Sequence, residues 1–155
     1  HIVPVERLTN TVSRSGEVTV AEVVHVLMPG ARVVGGAVGA GNRVNWATTL
    51  RTRPPAFEPR GGGELVLAPR GALDGLRQSD VALTVPRILE GLQIAGAVGL
   101  VIPAPATPED ASVADRLGLP LVEVPSSLSL SEIDREVISL VLDRRSEMQA
   151  RASAL

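Results

Sequence analysis

The sequence predicts an α/β fold: a single domain in which a small, mostly parallel or mixed sheet of about five strands is flanked by helices. Segments with a helical apolar stripe alternate with short apolar runs bounded by glycine or proline, which is typical of strands joined by helical crossovers. One of these runs, residues 97–102, is apolar throughout, as expected of a central strand covered on both faces.

A helix is predicted near the start of the chain. Thr19 is in the N-cap position, and Glu22 three residues later completes a capping-box pattern. Apolar side chains then recur at helical spacing from Val20 to Met28. His25 lies off this stripe, so we expect it to be exposed and not a ligand.

Three strands are predicted in the next part of the chain. They cover residues 32–35, 44–50 and 64–68, and the glycine-rich turn 35–41 is interpreted as a hairpin connection between the first two. Trp46 in the second strand is expected to pack in the core.

The second half of the chain predicts three helices and a further strand besides residues 97–102. One helix covers residues 80–96, and another begins at its N-cap Thr107 and ends at Leu117. A strand over residues 121–124 follows, and a long helix begins at Ser131.

Composition excludes several classes of function. A chain of 155 residues has the length of one domain. It contains no cysteine and only two histidines, so we expect neither a disulfide framework nor a thiolate or histidine-rich metal site. No run reaches the length of a membrane span and no signal-peptide pattern is present, so a cytoplasmic protein without membrane contact is predicted. The net charge of −2 argues against general nucleic-acid binding by this chain.

No catalytic constellation is present in the sequence. It contains no Gly-x-Ser-x-Gly elbow and no Walker-type loop, and nothing pairs the strand carboxylates Glu64 and Glu123. We therefore predict that the protein is not an enzyme and uses no cofactor or metal.

Every basic residue except the histidines is an arginine, and several lie where strands end. Thr48, Arg51, Arg53 and Arg70, with Glu64 at the start of the third strand, are the candidate ligand-binding residues. Ligands bind at the carboxyl ends of strands in open α/β sheets, and a guanidinium grips a carboxylate with two hydrogen bonds. The pattern favours a small anionic ligand, although these arginines, Arg70 included, are equally compatible with ordinary solvated surface charge.

Four segments of the sequence occur in the same order in one known family. They are TVAEVV (19–24), RVNW (43–46), GGELVL (62–67) and LGLPLVE (117–123), the last followed by SEI (131–133). Together they resemble the N-terminal domain of the purine catabolism regulator (PucR)-like transcription factors, and the resemblance runs from about Val18 to Glu147.

The resemblance implies a ligand-sensing or regulatory domain of a bacterial transcriptional regulator, with a nitrogen-metabolism metabolite as effector. It also implies that DNA is bound only through a C-terminal helix-turn-helix absent from this sequence. Residues 1–17 are then a lead-in segment, 18–147 the PucR-like domain and 148–155 the start of a linker. One alternative is a dimerisation module without a small-molecule ligand, in which the last helix forms a homodimer interface. A weaker one is a nucleotide-binding domain like those of peptidoglycan ligases.

Overall fold

Five strands form one mixed sheet with helices on both faces in the computed structural model, which describes residues 16–53 and 55–153. This confirms the predicted α/β fold. The helices are α1 Val20–Leu27, α2 Ala72–Ser79, α3 Val85–Ile94, α4 Pro108–Leu117 and α5 Leu130–Ser153. The strands are β1 Arg32–Gly35, β2 Trp46–Thr49, β3 Glu64–Leu67, β4 Gly99–Pro103 and β5 Leu121–Val124.

The strand order is β1-β5-β4-β3-β2. Strands β2, β3, β4 and β5 are parallel to their neighbours, and β1 pairs antiparallel with β5 at one edge. The carboxyl ends of the four parallel strands therefore meet at a single edge of the sheet. This edge is where open α/β sheets bind ligands.

Each face of the sheet has its own apolar core, as the alternation along β3 illustrates. Leu65 and Leu67 belong to the core that α1 and α5 cover, whereas Val66 belongs to the core beneath α2, α3 and α4. All three side chains are fully buried, and each such burial stabilises the fold by roughly 1.5–3 kcal/mol. Burial on both faces explains why the strands appear in the sequence as short continuous apolar runs.

The predicted helix caps are present. The Thr19 hydroxyl accepts a hydrogen bond from the Glu22 N–H at 3.3 Å, and His25 is exposed as expected. At α4, Thr107 and Asp110 form a reciprocal capping box, with distances of 3.1 and 3.0 Å. The predicted box at α1 is only half formed, because the Glu22 side chain instead binds Arg144 on α5.

The interpretation of residues 35–41 as a hairpin is wrong. Strands β1 and β2 lie at opposite edges of the sheet, and the segment between them contains a short 3₁₀ turn, Ala37–Gly39. Gly36 has a φ of 67° and packs so closely that an added Cβ would lie 2.1 Å from the Leu119 carbonyl oxygen. The glycines therefore allow this segment to contact the α4–β5 connection and do not form a two-strand turn.

Trp46 does not pack in the core as predicted. It is only half-buried because β2 is an edge strand, and the core side chain of this strand is its neighbour Ala47. Helix α2 was not predicted: Gly75 in its middle lowers its helix propensity, and only Ala72 and Leu76 of its eight residues are buried.

The ends of the chain are described only in part. Of the predicted lead-in segment, residues 1–15 lie outside the described residues, and helix α5 continues through residues 148–153 to Ser153. The domain boundaries at 17/18 and 147/148 stay predictions. No helix within the described ranges combines the length and apolarity needed to cross a membrane.

Candidate ligand site at the carboxyl edge of the sheet

Two adjoining depressions lie at the carboxyl edge of the sheet, with volumes of about 430 and 290 Å³. Pro69, Arg70 and Ser126 line both, and we call the two depressions together the carboxyl-edge site. The larger one is also bounded by α2 and residues 103–105, and the smaller one by residues 127–131. The site is thus built from the loops that follow β3, β4 and β5.

Arg70 lies at the junction of the two depressions. The chain leaves β3 through buried Ala68, and Gly71, with a φ of 86°, is the N-cap of α2. The Arg70 Nη2 donates a hydrogen bond of 2.6 Å to the Ser126 carbonyl oxygen. Within the described part of the chain this exposed guanidinium forms no ion pair, so its positive charge is not neutralised by a neighbouring carboxylate.

A second arginine of the site is already paired. Arg77 on α2 lines the larger depression and binds Asp74, one helical turn earlier, at 2.5 Å. Both side chains are largely exposed, so the pair contributes little to stability. The unneutralised charge of the carboxyl-edge site is therefore that of Arg70.

Glu123 of β5 fixes the position of residues 103–106, of which residues 103–105 line the larger depression. Its Oε2 accepts a hydrogen bond of 2.9 Å from the Ala106 N–H, and its Oε1 binds the guanidinium of Arg32 on β1. Burial by itself raises the pKa of this carboxyl, but the Ala106 hydrogen bond and the Arg32 charge outweigh it, and the pKa is lowered. No role for Glu123 was predicted from the sequence, although an acid inside the apolar strand Leu121–Val124 is a signal of one.

A separate depression of about 210 Å³ lies beneath the second half of α5. Its arginines are bonded within the protein: Arg144 to Glu22, and Arg145 to the Asn45 carbonyl oxygen at 3.1 Å. Arg43 in the same depression pairs with Glu17 at 2.9 Å. This depression is therefore less suited to an anion than the site at Arg70.

Three predicted site residues lie on or after β2, at the same edge as Arg70. Thr48 is half-buried in the strand, Arg51 just beyond it pairs with Glu58 at 3.0 Å, and Arg53 is exposed. Thr49 pairs with Leu67, so β2 and β3 end side by side. None of the three predicted residues lines either depression of the carboxyl-edge site.

Glu64 lies at the amino end of β3, on the opposite edge of the sheet from Arg70. It is fully buried, and its Oε1 accepts hydrogen bonds from the N–H groups of Arg60 at 2.6 Å and Gly62 at 3.3 Å. Its Oε2 is buried without a hydrogen-bond partner among the described residues. The structure thus gives Glu64 a role in holding the glycine turn and does not bring it to Arg70.

The sequence matches the model of a known protein family. The model of the purine catabolism regulatory protein-like family matches residues 22–141. The chain belongs to this family. No curated protein sequence matches it significantly.

Membership in the purine catabolism regulatory protein-like family confirms the resemblance found in the sequence. The matched range begins in α1 and ends in α5, and it includes all five strands, Arg70 and Glu123. The family is regulatory and not catalytic, so the chain is a regulatory domain of a transcriptional regulator. Within the described residues, no group of three or more His, Cys, Asp or Glu side chains is arranged to hold a metal ion.

Proposed function

We propose that this regulatory domain senses a small anionic metabolite, which binds in the carboxyl-edge site with Arg70 as its principal contact. The observation that carries the proposal is the Arg70 guanidinium, which lies between two depressions with no described carboxylate as its partner. In this proposal the domain is cytoplasmic, uses no cofactor and contacts no membrane. DNA is contacted by a helix-turn-helix outside this sequence.

The size and lining of the larger depression support a small ligand. Its volume of about 430 Å³ falls in the range of roughly 300–1,000 Å³ that is typical of small-molecule sites. Leu73, Pro103 and Pro105 provide apolar contact surface for the body of a ligand.

The electrostatics of the site support an acidic group on that ligand. A guanidinium binds a carboxylate through two parallel charge-assisted hydrogen bonds, whereas a neutral purine brings no opposite charge to the contact. Gly71 supplies no side-chain cap to α2, so the positive end of that helix also favours a nearby negative group. A compact carboxylic acid of nitrogen metabolism meets both requirements.

Ligand screening tests the proposal. Thermal-shift measurements with carboxylates and ureides should identify compounds that raise the melting temperature, and calorimetry should then give their affinities. Arg70→Ala should weaken binding by about ten- to a hundredfold, since a charge-assisted hydrogen bond contributes roughly 1.5–3 kcal/mol. The stability of the free domain should change by no more than about 0.5 kcal/mol, as is usual for an exposed side chain.

Arg87→Ala is the matched control. Arg87 is an exposed arginine on α3 that lines neither depression, so its removal changes the net charge equally and should leave binding unchanged. Flat melting curves throughout the screen, or unchanged affinity in Arg70→Ala, would contradict the proposal.

A second candidate function is homodimerisation through α1 and α5. Val26 on α1 is 54% exposed and Leu142 on α5 is 45% exposed, and the Glu22–Arg144 ion pair holds these two helices together. Sedimentation at high protein concentration should detect a dimer that Leu142→Glu dissociates. A monomer at all concentrations would exclude this function for the isolated chain.

A further inference from the structure

The hydrogen bond between Arg70 and Ser126 joins two loops that are 56 residues apart in the sequence. One loop carries Arg70 into the carboxyl-edge site, and the other leads into α5. The connection to α5 is short and internally hydrogen-bonded: the Leu128 N–H donates to the Pro125 carbonyl oxygen at 3.0 Å. The Ile133 N–H in the first turn of α5 donates to the Ser129 carbonyl oxygen at 3.2 Å. A displacement of Ser126 should therefore also displace the start of α5.

The far half of α5 is also held through arginine side chains. Arg144 binds the Glu22 carboxylate on α1 and donates to the Gly16 carbonyl oxygen at 3.1 Å. The hydrogen bond with Glu22 is the main reason why the pKa of Arg144 is raised. Arg145 donates to the Asn45 carbonyl oxygen just before β2.

Between these two ends α5 is packed along the sheet. Ile133, Val137 and Val141 are buried in the core that α1 and α5 cover. A helix of 24 residues is about 36 Å long and moves as one rod, because its backbone hydrogen bonds run along its length. Close-packed interfaces shift between discrete arrangements and do not deform continuously. A change at the first turn of α5 is thus transmitted to the contacts of Arg144.

We propose that the Arg70–Ser126 hydrogen bond is a latch through which occupancy of the carboxyl-edge site changes the position of α5. An anionic ligand competes with the Ser126 carbonyl for the Arg70 guanidinium, since hydrogen bonds to a charged acceptor are stronger than those to a neutral one. Release of Ser126 frees the first turn of α5 and weakens the hold on its far end. The trigger rests on the proposed ligand site, whereas the mechanical link between Arg70 and α5 exists without any ligand.

Hydrogen–deuterium exchange on the ligand-free chain tests the link. Arg70→Ala should speed amide exchange in residues 127–133 and also in residues 142–150, by about twofold, because local opening of both segments becomes easier. Exchange in α4, residues 108–117, serves as the internal reference and should stay unchanged. Faster exchange confined to residues 69–72 and 125–133, with residues 142–150 unchanged, would overturn the proposal.

Arg77→Ala is the matched control, since Arg77 lines the same site but binds only Asp74 on its own helix. It should leave exchange in α5 at the level of the unsubstituted protein, and an effect equal to that of Arg70→Ala would overturn the latch. Coupling is reciprocal, so Glu22→Gln should speed exchange in residues 127–133 as well. No ligand is used, so a failed ligand screen and a failed latch give separate results.

Discussion

A substitution at Gly36 tests how strongly the contact between the turn after β1 and the α4–β5 connection stabilises the fold. The residue is buried with a φ of 67°. In Gly36→Ala the new Cβ would lie 2.1 Å from the Leu119 carbonyl oxygen and 2.7 Å from the Pro120 nitrogen. Both are backbone atoms, so the substitution cannot be accommodated by a side-chain rotation and must displace the connection itself.

The expected cost has a conformational part and a steric part. A positive φ costs an L-residue roughly 1–2 kcal/mol, and the lower entropy of the unfolded alanine variant returns about 0.4–1 kcal/mol. Gly61 isolates the conformational part, because its φ is 91° and an added Cβ there would have no neighbour within 4 Å. Gly61→Ala should therefore lower the free energy of unfolding by about 1 kcal/mol. Overpacking adds about 1–3 kcal/mol, so Gly36→Ala should lower it by roughly 2–4 kcal/mol.

Urea unfolding provides the measurement. Far-UV circular dichroism and the fluorescence of Trp46, the single tryptophan of the chain, should report one cooperative transition in each variant. The difference between the two variants is the steric cost of the Leu119 contact. If the two costs agree within about 0.5 kcal/mol, the close approach at Gly36 does not constrain the fold and the reasoning is refuted.

Two carboxyl groups should give opposite dependences of stability on pH. The pKa of Glu123 is lowered in the folded state, so its contribution is fully present above the unfolded-state pKa of about 4.3 and is lost as the pH falls through the folded-state value. Urea midpoints measured down to acidic pH should show this loss, and Glu123→Gln should remove that part of the pH dependence while keeping an acceptor for the Ala106 N–H. Burial raises the pKa of Asp134, whose Oδ1 has no hydrogen-bond partner among the described residues, so the ionised group costs stability above its folded-state pKa. Asp134→Asn should raise stability at pH 7 by up to about 1 kcal/mol, and the gain should disappear in acid; a loss at pH 7 would contradict the raised pKa.

Local chemistry explains which elements could be predicted from the sequence. Helix α4 begins after its N-cap Thr107 and ends at Leu117, as predicted, because the capping box and the left-handed Gly118 act within a few residues of the helix ends. Strand β5 has the predicted bounds because the prolines on either side of residues 121–124 delimit a run that is buried on both faces. The Gly-Gly-Glu segment at the start of β3 was one of the four segments that carried the family resemblance, and its residues also contact one another locally, since the Gly62 N–H donates to the Glu64 Oε1.

Tertiary structure decided which of these elements are neighbours and which polar groups meet. The sequence by itself determined the α/β class, most of the strands and the position of Arg70 after a strand. It did not determine that β1 pairs with β5, that Glu64 lies at the opposite edge, or that Arg70 reaches Ser126. Such contacts join residues that are far apart in the sequence: Arg32 and Glu123 are separated by 91 positions. They form only when the packing of both cores sets the strand order. No pattern within a short window carries that information, because the energy that selects it comes from the burial of apolar faces contributed by the whole chain.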